Sequence, residues 1–226
     1  MVGREWIEEL LHRTRNHEVV VRTLDMHTGQ VTLATANRQA QFEFDGAVMR
    51  APFGPRWRLL IVGAGQLSRV IAQLALALDF QVLCCDPREE YNLTWDVPGT
   101  TFSKDMPDDL VSQIALDVHT AVVAVTHDPK LDDLVLIEAL KSSAFYVGAL
   151  GSRRNTETRL HRLREHFALS VAETSKLHGP IGLNIGAKTP AEIAVSVVAE
   201  IISVRNGVAL VQKKPGSSAP VPVVTH

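Results

Sequence analysis

Leu59, Leu60, Ile61 and Val62 form an unbroken apolar run that ends on the pair Gly63 and Gly65. A run this short and this apolar reads as a central parallel strand covered on both faces. The two glycines allow a tight turn and a close approach of backbone to a pyrophosphate at the first free N–H groups of a following helix. In that helix Leu67, Val70, Ile71, Leu74 and Leu78 recur at helical spacing, so one face can lie on a sheet. The third glycine of a G-x-G-x-x-G pattern is replaced by Ser68, which is small enough to weaken close packing without forbidding it. A second strand over 81–85 ends in Asp86, about twenty residues beyond the glycine turn, where an acid can accept hydrogen bonds from a ribose diol. The expectation is an α/β fold, a doubly wound and mostly parallel Rossmann-like sheet, carrying a nucleotide pocket. The alternative is a sheet whose glycines only close a turn and whose Asp86 only caps the next segment.

The rest of the chain divides around this unit. Residues 1–55 are expected to form a small module: a helix over 4–12, then a β-meander over 18–24, 30–35 and 39–44. Two prolines and a glycine make 51–55 a linker. A meander this small buries little by itself, which predicts that it leans on the main domain or on a second copy in a homodimer. The nucleotide-binding domain is assigned to 56–211 and a loose polar tail to 212–226. Further strands are expected at 100–102, 121–126 and 144–147, and further helices from 107, from Pro129 behind the cap Asp128, from Ser152, and from the capping box of Thr189 and Glu192 to Asn206. Apolar lines are expected at Leu131, Leu134, Val135 and Leu140, and at Leu160, Leu163 and Phe167.

At 226 residues and a net charge of −2, nothing points to nucleic acid. Arg4, Glu5, Glu8 and Glu9 interrupt any leader-like apolar start, and Glu192 and Glu200 interrupt the late apolar helix, so neither a signal peptide nor a membrane span is expected. Cys84 and Cys85 are adjacent in a strand and point to opposite faces, which disfavours a disulfide and fits small buried hydrophobes in a cytoplasmic protein.

In an open parallel sheet the carboxyl ends of the strands face the ligand crevice. Three turns then meet on one rim: Gly63, Ala64, Gly65, Gln66, Leu67 and Ser68; Thr126, His127 and Asp128; and Gly148, Gly151, Ser152 and Arg153. Asp86, Pro87 and Arg88 close the side where a ribose would lie, and the loop 182–188 stands nearby. Each turn precedes a helix start, which favours an anionic ligand. Asp86 disfavours a 2′-phosphate while Arg88, two residues on, favours one, so the balance between NAD and NADP leans only slightly to NAD. His127 is either an acid, base or anion donor at that rim or a residue that orders its own loop. His12, His17 and His27 lack metal-site spacing, no metal-binding signature is present, and no catalytic pair stands at a recognisable spacing.

With these residues in place, the segments 62–66, 85–89, 126–128, 146–155, 180–194 and 199–207 resemble the C-terminal Rossmann domain of the XdhC/CoxI family, over about residues 57–207. These are accessory proteins of molybdenum hydroxylases such as xanthine dehydrogenase. The resemblance implies a maturation factor, more an accessory protein than an enzyme. Such a factor binds NAD(P) or a related nucleotide and the molybdenum cofactor, shelters the latter during sulfuration, and delivers it to an apo-hydroxylase, with a cysteine desulfurase as a further partner. Asn184 and Lys188 depart from the family pattern, and the family's larger N-terminal domain, with its cysteine-containing glycine-rich segment, has no counterpart in residues 1–55. The other function classes that the residues allow are an NAD(P)-dependent oxidoreductase and a nucleotide-sensing module.

Overall fold

The computed structural model describes residues 4–16, 18–36, 40 and 42–208. Helix α1 (Glu5–Arg15) buries Leu10 and is followed by β1 (Val20–Asp25), β2 (Val31–Thr35), β3 (Glu43–Phe44) and β4 (Val48–Phe53). These strands form an antiparallel sheet in the order β2-β1-β4-β3. The hairpin between β1 and β2 turns on Asp25, whose Oδ1 accepts from the N–H groups of His27 and Thr28, with Gly29 at φ 70°. The module's charged contacts close on themselves: Arg13 pairs with Glu9 and Glu18, Arg50 with Glu43 and Asp45, and Arg22 lies over the rings of Trp6 and Phe53.

Two expectations for this region are corrected. The meander has a fourth strand, and residues 51–53 belong to it rather than to a linker, since Val21 stands opposite Pro52 and Val20 opposite Phe53. Proline is tolerated there because, among the described residues, β3 pairs with β4 only at Met49 and Arg50, and Pro52 lies beyond that pairing. The expected strand over 39–44 lies partly outside the described residues, as does the expected tail.

The second sheet carries the core. Its elements are β5 (Arg58–Val62), α2 (Gln66–Ala77), β6 (Gln81–Cys85), α3 (Glu89–Asn92), β7 (Thr101–Ser103), α4 (Pro107–Ile114), β8 (Thr120–Ala124), α5 (Pro129–Lys141), β9 (Tyr146–Ala149), α6 (Arg153–Phe167), α7 (Val171–Thr174), β10 (Leu177–His178) and α8 (Pro190–Arg205). All six strands are parallel, in the order β10-β9-β8-β5-β6-β7. This is the doubly wound Rossmann arrangement, with the reversal of winding between β5 and β8. The period of two along each strand divides the core. Leu59, Ile61, Val82, Cys84, Ala121 and Val123 face α2 and α8, which contribute Ile71, Ala75, Val197 and Ile201. Leu60, Val62, Cys85, Val122 and Ala124 face the other way, onto Leu110, Val135, Leu136, Leu140 and Leu163 of α4, α5 and α6. Cys84 and Cys85 therefore fall on opposite faces, both free and buried.

The helix boundaries follow local chemistry. Asp128 accepts from Lys130 N ahead of Pro129, Ser152 accepts from Asn155 N, and Thr189 and Glu192 complete a capping box. The expected apolar lines hold at Leu131, Val135, Leu140 and Leu163 and differ elsewhere. Leu134 is only half-buried, and Phe167 is 41% exposed, while the buried places between α5 and α6 go to Asp132, Asp133, Thr156 and Arg159. Those charges can be buried beside the apolar contact because they pair with one another across the two helices.

Candidate functional site

The carboxyl ends of β5, β6, β8 and β9 open on one edge of the sheet, and the crevice at the β5/β8 reversal is bounded by residues 63–68 and 126–128. Gly63 sits at φ 111°, a conformation that favours glycine. A Cβ there would lie 2.9 Å from Thr126 N and 3.0 Å from Thr126 Cα, so the first two turns touch and the glycine is what permits it. Gly63 N–H donates to Cys85 O at 2.8 Å and Ala64 N–H to Asp86 Oδ2 at 2.8 Å. Gly65 is the N-cap of α2 and offers no side chain, and the first turn of the helix contains no acid. The opening N–H groups of α2 have no intrahelical acceptors, so with the helix dipole they favour an anion. Of the side chains in this stretch only Gln66 is exposed; Leu67 and Ser68 are buried against the sheet and contribute backbone alone.

Asp86 is fully buried. Its Oδ1 accepts from Arg88 N and Nε at 3.1 and 2.9 Å, and its Oδ2 from Arg88 Nη2 at 2.8 Å in addition to Ala64 N. Hydrogen bonding to Asp86 raises the pKa of Arg88 further, and the guanidinium carbon lies 4.1 Å from the centre of the Tyr91 ring. Pro87 is half-buried between the two.

The second and third turns are joined from below. Thr126 N and Oγ1 donate to Asp132 Oδ1 at 3.1 and 2.7 Å, and Asp128 N donates back to Thr126 Oγ1 at 2.9 Å. Asp132 Oδ2 takes Arg159 Nη2 at 3.0 Å, and Arg159 Nη1 reaches Leu150 O at 3.1 Å. Asp133, beside it, binds Arg162 through both oxygens. Burial pushes the Asp132 carboxyl up, while Thr126 and Arg159 pull it down. His127 is exposed at φ 62°, left-handed backbone at the tip of the turn.

Gly148 lies inside β9 rather than in the turn. A Cβ on it would meet Ile181 Cδ1 at 2.7 Å and Tyr146 Cε1 at 2.8 Å, so packing alone accounts for the glycine. Gly151, Ser152 and Arg153 follow at the start of α6, the last two exposed. The structure thus joins Gly63, Ala64, Asp86, Arg88 and Thr126 by direct contact, and links the third turn to them through Leu150, Arg159 and the β8–β9 pairing. Sequence reasoning missed Asp132 and Arg159. The i, i+6 placement of Thr126 and Asp132 around a helix start is the signal that was available.

Two neighbouring features differ in chemistry. Burial holds both cysteine thiols protonated, that of Cys85 at a pKa of about 12, so neither supplies a thiolate. Behind the loop that follows β10, Glu200 Oε2 accepts from Tyr146 OH at 2.5 Å and from Gly182 N at 2.8 Å, and its Oε1 lies 3.3 Å from His178 Nδ1. Two recesses of about 410 and 330 Å³ lie elsewhere, between α5 and α6 and between α1 and its sheet. Among the described residues no three His, Cys, Asp or Glu side chains gather as a metal-binding group, and no helix is long and apolar enough to cross a membrane.

The model of the XdhC Rossmann domain matches residues 59–201. Among curated proteins, the chain is 36% identical over 154 residues to the uncharacterised protein YqeB of Escherichia coli (strain K12), covering 68% of this chain and 28% of YqeB. It is 34% identical over 158 residues to a probable xanthine dehydrogenase subunit of Bacillus subtilis (strain 168), covering 70% and 46%. It is 39% identical over 90 residues to the molybdenum cofactor insertion chaperone PaoD of Escherichia coli (strain K12), covering 40% and 28%. The chain therefore spans less than half the length of each of these relatives. In fold it is similar to a solved structure described as a xanthine dehydrogenase from Bacillus halodurans, with a TM-score of 0.68 and 22% identity over 95% of this chain and 66% of that one. The family match spans β5 to α8, with the glycine turn, Asp86, the 126–128 turn and the capping box inside it, and the chain belongs to the XdhC Rossmann-domain family.

Proposed function

We propose that the chain is an accessory factor in the maturation of a molybdenum hydroxylase of the xanthine dehydrogenase type. Its crevice binds a dinucleotide, and also the molybdenum cofactor as cargo. The observation that supports this best is the acid-free, uncapped start of α2 at the winding reversal, with Gly63 packed on Thr126. The residues fit a phosphate or pyrophosphate: the amides that open α2 have no intrahelical acceptor, and no acid stands in its first turn. The two cysteines do not offer molybdenum a ligand, because both are buried and protonated. The cargo is accordingly held by its phosphate end. A bound nicotinamide nucleotide supplies a hydride donor or acceptor; the chain's own part is to fix the pyrophosphate and orient the ribose beside Asp86 and Arg88. The relatives named for xanthine dehydrogenase and for cofactor insertion support a hydroxylase apo-enzyme as partner.

Titration of the purified chain with NADH, NADPH and molybdopterin tests this reading, with micromolar binding expected. Gly63→Ala forces a Cβ against Thr126 and should weaken binding by about tenfold or more. No binding of any of the three at millimolar ligand overturns the reading. An oxidoreductase is the second reading, supported by the exposed left-handed His127 at the rim. Turnover of small carbonyl or hydroxyl substrates that His127→Ala abolishes would favour it.

A further inference from the structure

We infer that the ribose side of the crevice selects a 2′-phosphorylated dinucleotide, NADP(H) over NAD(H), with Arg88 as the discriminating residue; this rests on the dinucleotide reading above. An acid at the end of the second strand ordinarily selects NAD by accepting from the ribose 2′-OH. Asp86 has no acceptor left for that purpose. A carboxylate offers about four lone-pair sites, and Ala64 N, Arg88 N, Arg88 Nε and Arg88 Nη2 fill them. The same arrangement removes the electrostatic objection to a phosphate, since the Asp86 charge is paired with a guanidinium at 2.8 Å inside a buried site.

Arg88 is left with donors to spare. Its Nη1 has no acceptor among the described residues, and its side chain keeps 24% of its surface exposed. Tyr91 beneath it and Asp86 beside it hold the guanidinium in one place, so a phosphate oxygen meets an ordered donor. Arg88 stands two residues past the acid that ends the second strand's turn, and that acid binds the glycine turn directly. That is where the ribose falls when the pyrophosphate sits on the first turn of α2. The acids nearby do not occupy this position: Glu89 and Glu90 are exposed and screened by solvent, and Asp105 is engaged by Ser103 Oγ at 2.7 Å.

The full chain titrated with NADPH, NADP⁺, NADH and NAD⁺, followed by calorimetry, provides the test. The phosphorylated pair should bind about tenfold tighter or more, as one charge-assisted hydrogen bond provides. Arg88→Ala should erase the difference, weakening NADPH while leaving NADH equal or tighter because Asp86 is freed for the diol. Arg88→Lys keeps the charge without the fork and should retain part of the preference, and Tm values for both variants report on folding. Equal or tighter binding of NADH by the wild type overturns the inference, as does an equal loss for both nucleotides in Arg88→Lys. Failure of all four ligands overturns the dinucleotide reading itself, a result distinct from NADH preference.

Discussion

The two sheets of this protein are held by different means. In the parallel sheet β8 is buried along its whole length and β5 at every residue but Arg58, because helices cover both faces. In the antiparallel sheet β3 is exposed and β2 has only Val31 and Leu33 half-buried, and among the described residues before β5 only Leu10 and Val20 are buried. The first sheet is stabilised by apolar burial and can carry a tightly packed glycine turn and buried charges at its rim. The second relies on hairpin hydrogen bonds and on half-exposed ion pairs that contribute little. Apolar burial and the candidate site thus belong to the same half of the molecule.

The sharpest way to break this contrast is to remove a charge from under the rim. Arg159→Ala leaves Asp132 buried without its cation and should cost about 3–5 kcal/mol, the usual effect of orphaning one member of a buried pair. Thermal unfolding of the main transition measures it. Leu10→Ala should cost about 2–3 kcal/mol, but only in the small module. Amide exchange should then rise in β1 and β2 while α2 and β8 stay protected, and a uniform rise would show that the two sheets unfold as one.

A smaller effect concerns Glu200. Burial alone would raise its carboxyl, but hydrogen bonds from His178, Tyr146 and Gly182 outweigh that and hold it below its ordinary value. A depressed carboxyl contributes stability above its unfolded pKa of about 4.3 and loses it as the pH falls through the folded value. Glu200→Gln should therefore lower Tm at pH 7 by an amount worth about 1 kcal/mol and flatten the acid limb of Tm against pH. The smallest effect is none at all: with both thiols buried and protonated, a thiol reagent should modify Cys84 and Cys85 only after unfolding.

The contrast also explains what could be read from the sequence. Strands β5, β6 and β8 are apolar runs with glycine, acid or threonine at their ends, and the strand–turn–helix unit followed from local chemistry alone. The caps at Asp128, Ser152 and Thr189 did too, because each is a contact within three residues. Strand β4 was hidden, since a strand containing Pro52 depends on where its neighbour stops. The burial of Asp132 and Asp133 could not be read locally, because the arginines that pair with them stand 27 and 29 residues further on. At the site, the positions of Gly63, Asp86 and Thr126 were legible as a set. That Asp86 faces its own turn and Arg88 was not, because a carboxylate's partners are a matter of side-chain direction.

The bond from Ala64 to Asp86 has a consequence for how a guest would be received. The loop is already drawn into shape by its own acid, so less of it has to be ordered at the moment of encounter. Association should be quick, governed by diffusion and charge, and the entropy usually lost in arranging a phosphate cradle has been met once, during folding.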